Sequence, residues 1–275
     1  MPRAQNHPPE AMKKPVSLFL EKLYRDSRYI PTGKLERMGT KRITFMEICP
    51  VISPTGEERG RLLLEREFFL DGRPDAERPY GEESLLTYHL RRSKEEDGYQ
   101  IGEQDVASLT EEAWQYYVRR NFHFLFGDFV RARNDAEHNL GIASMMSRCA
   151  DDKDNAWSFV RWWPWIERDR AIAQALSDVE NGHLEEAATE LYRANKAIGR
   201  SAREHATEYA REGEVGASMP GQMEQHIETL VQLLQRLYLV PIPLEQQLDE
   251  ANARGDAEQA DKIRRQMMGE VAGRD

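Results

Sequence analysis

Leu244 to Met268 reads LEQQLDEANARGDAEQADKIRRQMM. Leu244, Leu248 and Ala251 recur at i, i+4 and i+7, Gly255-Asp256 interrupts the pattern, and Ala260, Ile263 and Met267 resume it at i, i+3 and i+7. That spacing predicts two helices of about eleven residues on either side of a turn. Helices so short are unstable alone in water, so the two apolar stripes must close on each other or on a partner. The stretch sets the class expected for the whole chain, which is mainly α and built from helical hairpins.

Working outward, the same turn recurs. Gly127-Asp128-Phe129 leads to Ala132, Gly182-His183-Leu184 to Ala187, and Gly255-Asp256-Ala257 to Ala260. Each glycine is followed by a polar residue and, five positions on, by an alanine. A glycine in a left-handed conformation ends one helix, a polar residue can cap the next, and a small alanine allows the two helices to approach closely. The copies stand 55 and 73 residues apart, too irregular for a repeat array, so the expectation is a bundle of TPR-like helix pairs rather than a solenoid.

Before the terminal hairpin, Met223, Ile227, Leu230, Val231, Leu234, Leu237 and Tyr238 mark an amphipathic helix over 222–240 with a near-heptad, coiled-coil-like seam. Residues 212–221 hold three glycines and a proline and read as a mobile linker. Residues 108–211 form a helical-hairpin body. Leu109, Ala113, Tyr117 and Phe124 stripe one helix, Phe129, Ala132, Ala136, Leu140 and Ala143 the next, and Ala187, Leu191, Ala194 and Ile198 a third. Asp151 to Asn155 reads as a polar loop. Trp157, Trp162, Trp163 and Trp165, broken by Pro164, either plug a gap between hairpins or form a stacking platform.

Residues 15–107 read as a small α+β region. Pro15 to Arg25 suits a short helix with Leu18, Phe19 and Leu23 inward. Ile43 to Ile52 and Arg61 to Leu70 read as a β-hairpin around Ser-Pro-Thr-Gly, and Glu82 to Arg92 as a helix. Arg73 and Arg78, on a chain of turns, suit pairing with carboxylates or carbonyls more than holding an anion. Residues 1–14, with three prolines and no apolar face, read as a disordered basic tail.

The net charge is −10, which argues against nucleic acid as the main partner. Residues 1–42 nonetheless carry +6, leaving −16 for the remainder, so this basic arm suits either nucleic acid or the acidic body of the same chain. Cys49 and Cys149 form no CxxC, which excludes a disulfide framework or cysteine zinc site and points to the cytoplasm. No apolar run has the length of a membrane span. Nucleotide-binding, hydrolase and zinc-protease motifs are absent, so neither catalysis nor a cofactor is expected. Asp135-x-x-His138 and Glu180-x-x-His183 have helical metal spacing, but the second pair straddles Asn181-Gly182. His123, between Phe122 and Phe124, suits a buried structural histidine better than a general base.

The residues Leu244, Leu248, Ala251, Asp256, Ala260, Ile263, Arg264 and Met267 resemble the UvrB/UvrC (UVR) motif, a two-helix module with a Leu-x3-Leu-x2-Ala start and an Ala-x2-Leu/Ile-Arg finish. Gly255, Gln259, Asp261 and Arg265 depart from its commoner residues. GRPDAERPYGEESLLTYH, WQYYVRR and GDFVRARNDAEHNL are similar to a family of uncharacterised bacterial proteins carrying a C-terminal UVR motif. The resemblance implies a contact module, with Leu244, Leu248, Ala251, Ala260, Ile263, Arg264 and Met267 as protein-binding residues. The expected function is an adaptor that docks another protein, or a second copy, through its helical hairpins. The alternative is a nucleic-acid-associated or excision-repair-related accessory protein.

Overall fold

The computed structural model describes residues 10–26, 28–37, 40–52 and 58–268. The chain divides into two units, Ser17–Ala173 and a second made of Gln174 onward with the chain's start up to Val16, so both boundaries fall inside helices. The fold is mainly α with one small antiparallel sheet, as the sequence predicts.

In the first unit, helix α1 (Glu10–Tyr24) leads into strands β1 (Tyr29–Arg37), β2 (Thr40–Ile52) and β3 (Glu58–Phe69), paired antiparallel in the order β1-β2-β3. The predicted hairpin is β2 with β3, in register Ile43↔Phe68 and Phe45↔Arg66, and its Ser-Pro-Thr-Gly turn lies outside the described residues. Strand β1 is an addition. Its Pro31 and Gly33 flank a register shift, a place where proline and glycine are tolerated in a strand. The first helix begins at Glu10 rather than Pro15, so only residues 1–9 of the predicted disordered tail lie outside the described residues. Its buried face is Val16, Leu20 and Tyr24, not Leu18, which is exposed. Hydropathy favours Leu18, whereas the phenol of Tyr24 is held inside by a polar partner described below.

Helices α2 (Leu85–Glu95), α3 (Glu103–Leu125), α4 (Phe129–Cys149), α5 (Lys153–Val160) and the first half of α6 (Trp163–Glu180) complete this unit. Most of the predicted polar loop over 151–155 is instead the cap and first turn of α5, because the Asp152 carboxylate accepts from the amides of Asp154 and Asn155. Two apolar clusters share α3. Leu85, Leu86, Ile101, Leu109, Ile142, Met145, Met146 and Phe159 surround its N-terminal half. Tyr29, Ile43, Phe45, Phe68, Leu70, Val118 and Phe122 join its C-terminal half to the sheet. Burying each such side chain contributes on the order of 2 kcal/mol.

In the second unit, α7 (Leu184–Glu204) packs Ala187, Leu191, Ala194 and Ile198 inward and meets α9 (Gly213–Tyr238), with the short α8 (Ala206–Arg211) between them. Residues 213–221, expected as linker, are the first turns of α9, with Gly216, Met219 and Pro220 buried. A Cβ on Gly216 would stand 2.8 Å from the Tyr209 carbonyl oxygen and 2.5 Å from the Glu212 Cβ. That glycine serves close packing of α8 on α9 rather than freedom. Gly216 also lies four residues before Pro220, at the position whose carbonyl a helical proline crowds. The apolar seam of α9 is taken up inside the chain by α7. Helices α10 (Leu244–Arg254) and α11 (Ala257–Met267) form the terminal hairpin.

Candidate functional site

The terminal hairpin closes on itself. Ala251, Ala260 and Ile263 are buried together, and Leu244 and Leu248 pack half-buried against them. Gly255 ends α10 at φ 71°, and the Asp256 side chain accepts from the amide of Gln259 to start α11. All three predicted turns share one hydrogen-bond pattern. Asp128, His183 and Asp256 donate their amides to the carbonyls of His123, Asp178 and Ala251. Gly127, Gly182 and Gly255 donate theirs to Phe124, Val179 and Asn252, which completes a Schellman motif in each case. Ala132, Ala187 and Ala260, five positions on, are all buried. Asp256 caps with its side chain, while Asp128 and His183 do not.

Of the seven residues expected to bind protein, Ala251, Ala260 and Ile263 are therefore spent on the hairpin's own seam. Arg264 and Met267 are exposed. One face of α10 is tied to α7: Glu245 accepts from Arg193, and Asp249 accepts from Tyr192 and is paired with Lys196 at 2.5 Å. The Arg193 hydrogen bond holds the Glu245 carboxyl below its ordinary range, and Lys196 and Tyr192 do the same for Asp249. These pairs are exposed, so each contributes modestly. Sequence reading put the hairpin's stripes on view but not this polar tether, whose partners lie more than fifty residues upstream.

A second constellation, unforeseen in sequence, lies along α3. The Glu112 carboxylate is fully buried and accepts from the amides of Leu85 at 2.8 Å and Leu86 at 3.2 Å, at the start of α2. His138 Nε2 lies 2.9 Å from Oε1, the oxygen that also accepts from Leu86, and Arg73 Nη1 approaches Oε2 to 3.4 Å. Burial would raise this carboxyl; the His138 contact and the two amides outweigh it and hold Glu112 below its ordinary value. One helical turn or two further on, Arg119 donates to both oxygens of Asp135, at 2.9 and 2.6 Å, and to the carbonyls of Phe69 and Gly72 at 2.7 and 2.9 Å. It thereby fixes α4, the end of β3 and the following turn to one side chain.

On another face of α3, Asp169 forms an ion pair with Arg120 at 2.9 Å and accepts from Arg168 Nε at 2.9 Å and the Tyr24 hydroxyl at 2.9 Å. Two guanidiniums share one carboxylate, and the surplus positive charge lies against aromatic faces, Arg120 over Tyr117 at 5.5 Å and Arg168 over Trp165 at 4.7 Å. Tyr24 also stacks on Phe124 at 3.8 Å. Burial and Asp169 hold its phenol well above the ordinary range, so it stays a donor.

His123 is fully buried, with Asp135 at 3.7 Å and Asp128 at 3.9 Å and, among the described residues, no hydrogen bond to either ring nitrogen. Burial pushes it down to about 4. The two residues read as helical metal spacing are divided between neighbours: Asp135 serves Arg119 and His138 serves Glu112. His183 precedes the first residue of α7 and does not share a helix face with Glu180. Among the described residues, no group of three or more histidine, cysteine or acidic side chains is arranged to hold a metal ion. Arg73 pairs with Asp75 at 2.9 Å, the carboxylate use expected of it. The signal for this network is present in WQYYVRRNFHFL, where charges on an otherwise apolar helix require buried partners.

The tryptophans are not core. Trp162 is exposed, its ring meets Trp165 edge-on at 6.4 Å, and Arg161 lies over it at 5.0 Å. Trp157, Trp163 and Trp165 are half-buried. Among the described residues no helix is long and apolar enough to cross a membrane. No family model, no curated protein and no solved structure matches this chain.

Proposed function

We propose that the protein is an adaptor that docks another protein through a UVR-like terminal hairpin and has no catalytic centre of its own. The observation that supports this most is the state of the hairpin's surfaces. Its seam is closed, one face of α10 is held by Arg193, Lys196 and Tyr192, and α11 keeps Arg264 and Met267 exposed beyond it. A module fixed on one side and open on the other suits presentation to a partner. The buried charges along α3 support it differently. Each carboxylate there is already engaged by cations or amides, so the network reads as a clamp on the fold. The test is affinity capture from native lysate with the full chain and with an Arg264→Glu/Met267→Asp variant. Loss of a specific partner supports docking through α11; an unchanged set of captured proteins removes the hairpin from the proposal.

A nucleic-acid-associated or excision-repair-related accessory role is the second reading, favoured by the open ring of Trp162 under Arg161. Aromatic and guanidinium planes together suit stacking on unpaired bases. Its test is quenching of tryptophan emission by single-stranded DNA at low and moderate salt. Emission unchanged at low salt would exclude it.

A further inference from the structure

We propose that the free edge of β3 pairs antiparallel with β3 of a second copy of this chain, about a two-fold axis through Leu63. Among the described residues β3 is an edge strand, paired with no strand other than β2. From Glu58 to Glu67 every residue is exposed except Leu64, which is half-buried, and Leu62 and Leu63 are 52% and 56% exposed. The direction of its backbone groups is fixed at one end. The Leu70 amide donates to the Lys41 carbonyl of the β2 side, while the Phe69 amide donates to Pro74 and the Phe69 carbonyl accepts from Arg119. Phe69 thus faces away from β2. The register with β2 runs unbroken from Phe69 to Gly60, so alternation puts the N–H and C=O of Arg61, Leu63, Glu65 and Glu67 on the open edge.

The side chains make that edge self-complementary. Reading ERGRLLLEREFF against its own reverse about Leu63 places Arg61 opposite Glu65, Arg59 opposite Glu67, Leu62 opposite Leu64 and Leu63 opposite itself. In this register the pairs with outward backbone groups, Leu63 with Leu63 and Arg61 with Glu65, are the ones that must exchange hydrogen bonds, so backbone polarity and charge order agree. Sliding by two residues in one direction sets Arg61 against Leu63, and in the other Leu63 against Glu65. Edge strands that avoid pairing carry charges, lysine above all, prolines or bulges; the charges here are of both signs and so ordered that a reversed copy meets each with its opposite. Glu67 and Arg61 are already paired with Arg42 and Glu58, but on exposed surfaces where a second partner can be shared. Such an interface is isologous and closed, continuing the sheet as β1-β2-β3-β3-β2-β1 across two copies.

The experiment is sedimentation velocity on the full chain over a wide concentration range, with charge-reversal variants. The wild type is expected to form a dimer. Arg61→Glu and Glu65→Arg should each weaken it roughly tenfold or more, since each turns two attractions into repulsions. A mixture of the two variants, and the double variant Arg61→Glu/Glu65→Arg, should restore the dimer. Leu63→Pro should abolish it while leaving far-UV circular dichroism unchanged, because that amide takes no part in the β2–β3 ladder. If Leu63→Pro misfolds, the mixing experiment still decides. Leu63→Cys in a Cys49→Ser/Cys149→Ser background should form a disulfide-linked dimer on mild oxidation, the opposed Cα atoms lying about 5.5 Å apart. A wild type that stays monomeric, or a dimer indifferent to the charge reversals, overturns the proposal.

Discussion

Acid should loosen the sheet-bearing unit through His123. The folded chain holds this imidazole down to about 4 by burial, whereas the unfolded chain protonates it near 6.5. Between these values the unfolded state binds the proton and the folded state does not, so stability falls as pH falls. The two-state proton balance gives a loss of about 2 kcal/mol from pH 7 to pH 5 and about 3 kcal/mol by pH 4. His89, also buried and lowered, adds in the same direction, so the His123 share is read as a difference. Neither ring nitrogen of His123 has a hydrogen-bond partner among the described residues, which makes His123→Leu a tolerable comparison. Asp135 and Asp128 keep Arg119 and Arg131 in that variant. All five tryptophans lie between residues 114 and 165, so urea unfolding followed by their emission reports on this unit alone. The wild type should lose about 2 kcal/mol more than His123→Leu between pH 7 and pH 5. Parallel pH profiles for the two proteins would refute the assignment.

Three further outcomes are expected. Arg119→Leu strands the buried Asp135 carboxylate and should cost about 3–5 kcal/mol in urea unfolding, while Arg119→Leu/Asp135→Leu should recover much of it; equal losses would refute a buried-charge origin. Gly216→Ala should lower the thermal midpoint because its Cβ meets a carbonyl, whereas Gly221→Ala, with open space around it in the same helix, should gain about 0.5–1 kcal/mol; two losses would restore the linker reading. Ile263→Ala removes the largest buried side chain of the terminal seam and should cost about 2–4 kcal/mol, seen as faster amide exchange over residues 244–267; unchanged exchange would show the hairpin is held by its tether instead.

The helices and their turns are legible in the sequence because they rest on local rules. Gly127, Gly182 and Gly255 all take the left-handed conformation that their positions predict, at φ 71°, 79° and 71°. Strand β1 and the start of α9 are not legible, for a shared reason. Glycine and proline signal a break, yet at a bulge or a tight helix crossing they signal proximity, and composition does not separate the two. The interior of α3 is hidden for another reason. The partner of Arg119 lies 16 residues on and that of Tyr24 145 residues on, so the pairing that makes a buried charge tolerable exists only once the chain has folded. At the terminal hairpin the apolar spacing finds Ala251, Ala260 and Ile263, but the tether of Glu245 and Asp249 to α7 is tertiary information.

Helix α2 has no complete beginning of its own. Ser84 supplies its hydroxyl to Thr87 and its carbonyl to Tyr88, but the first two amides are answered by Glu112, 27 and 26 residues downstream. A helix whose first turn depends on a distant carboxylate gains little until that carboxylate arrives. The α3–α4 hairpin, closed by a local turn, can form early, whereas α2 must wait for it. Glu112 therefore makes the first turn of residues 85–95 conditional on α3: that turn is complete only where the carboxylate is already in place to receive it.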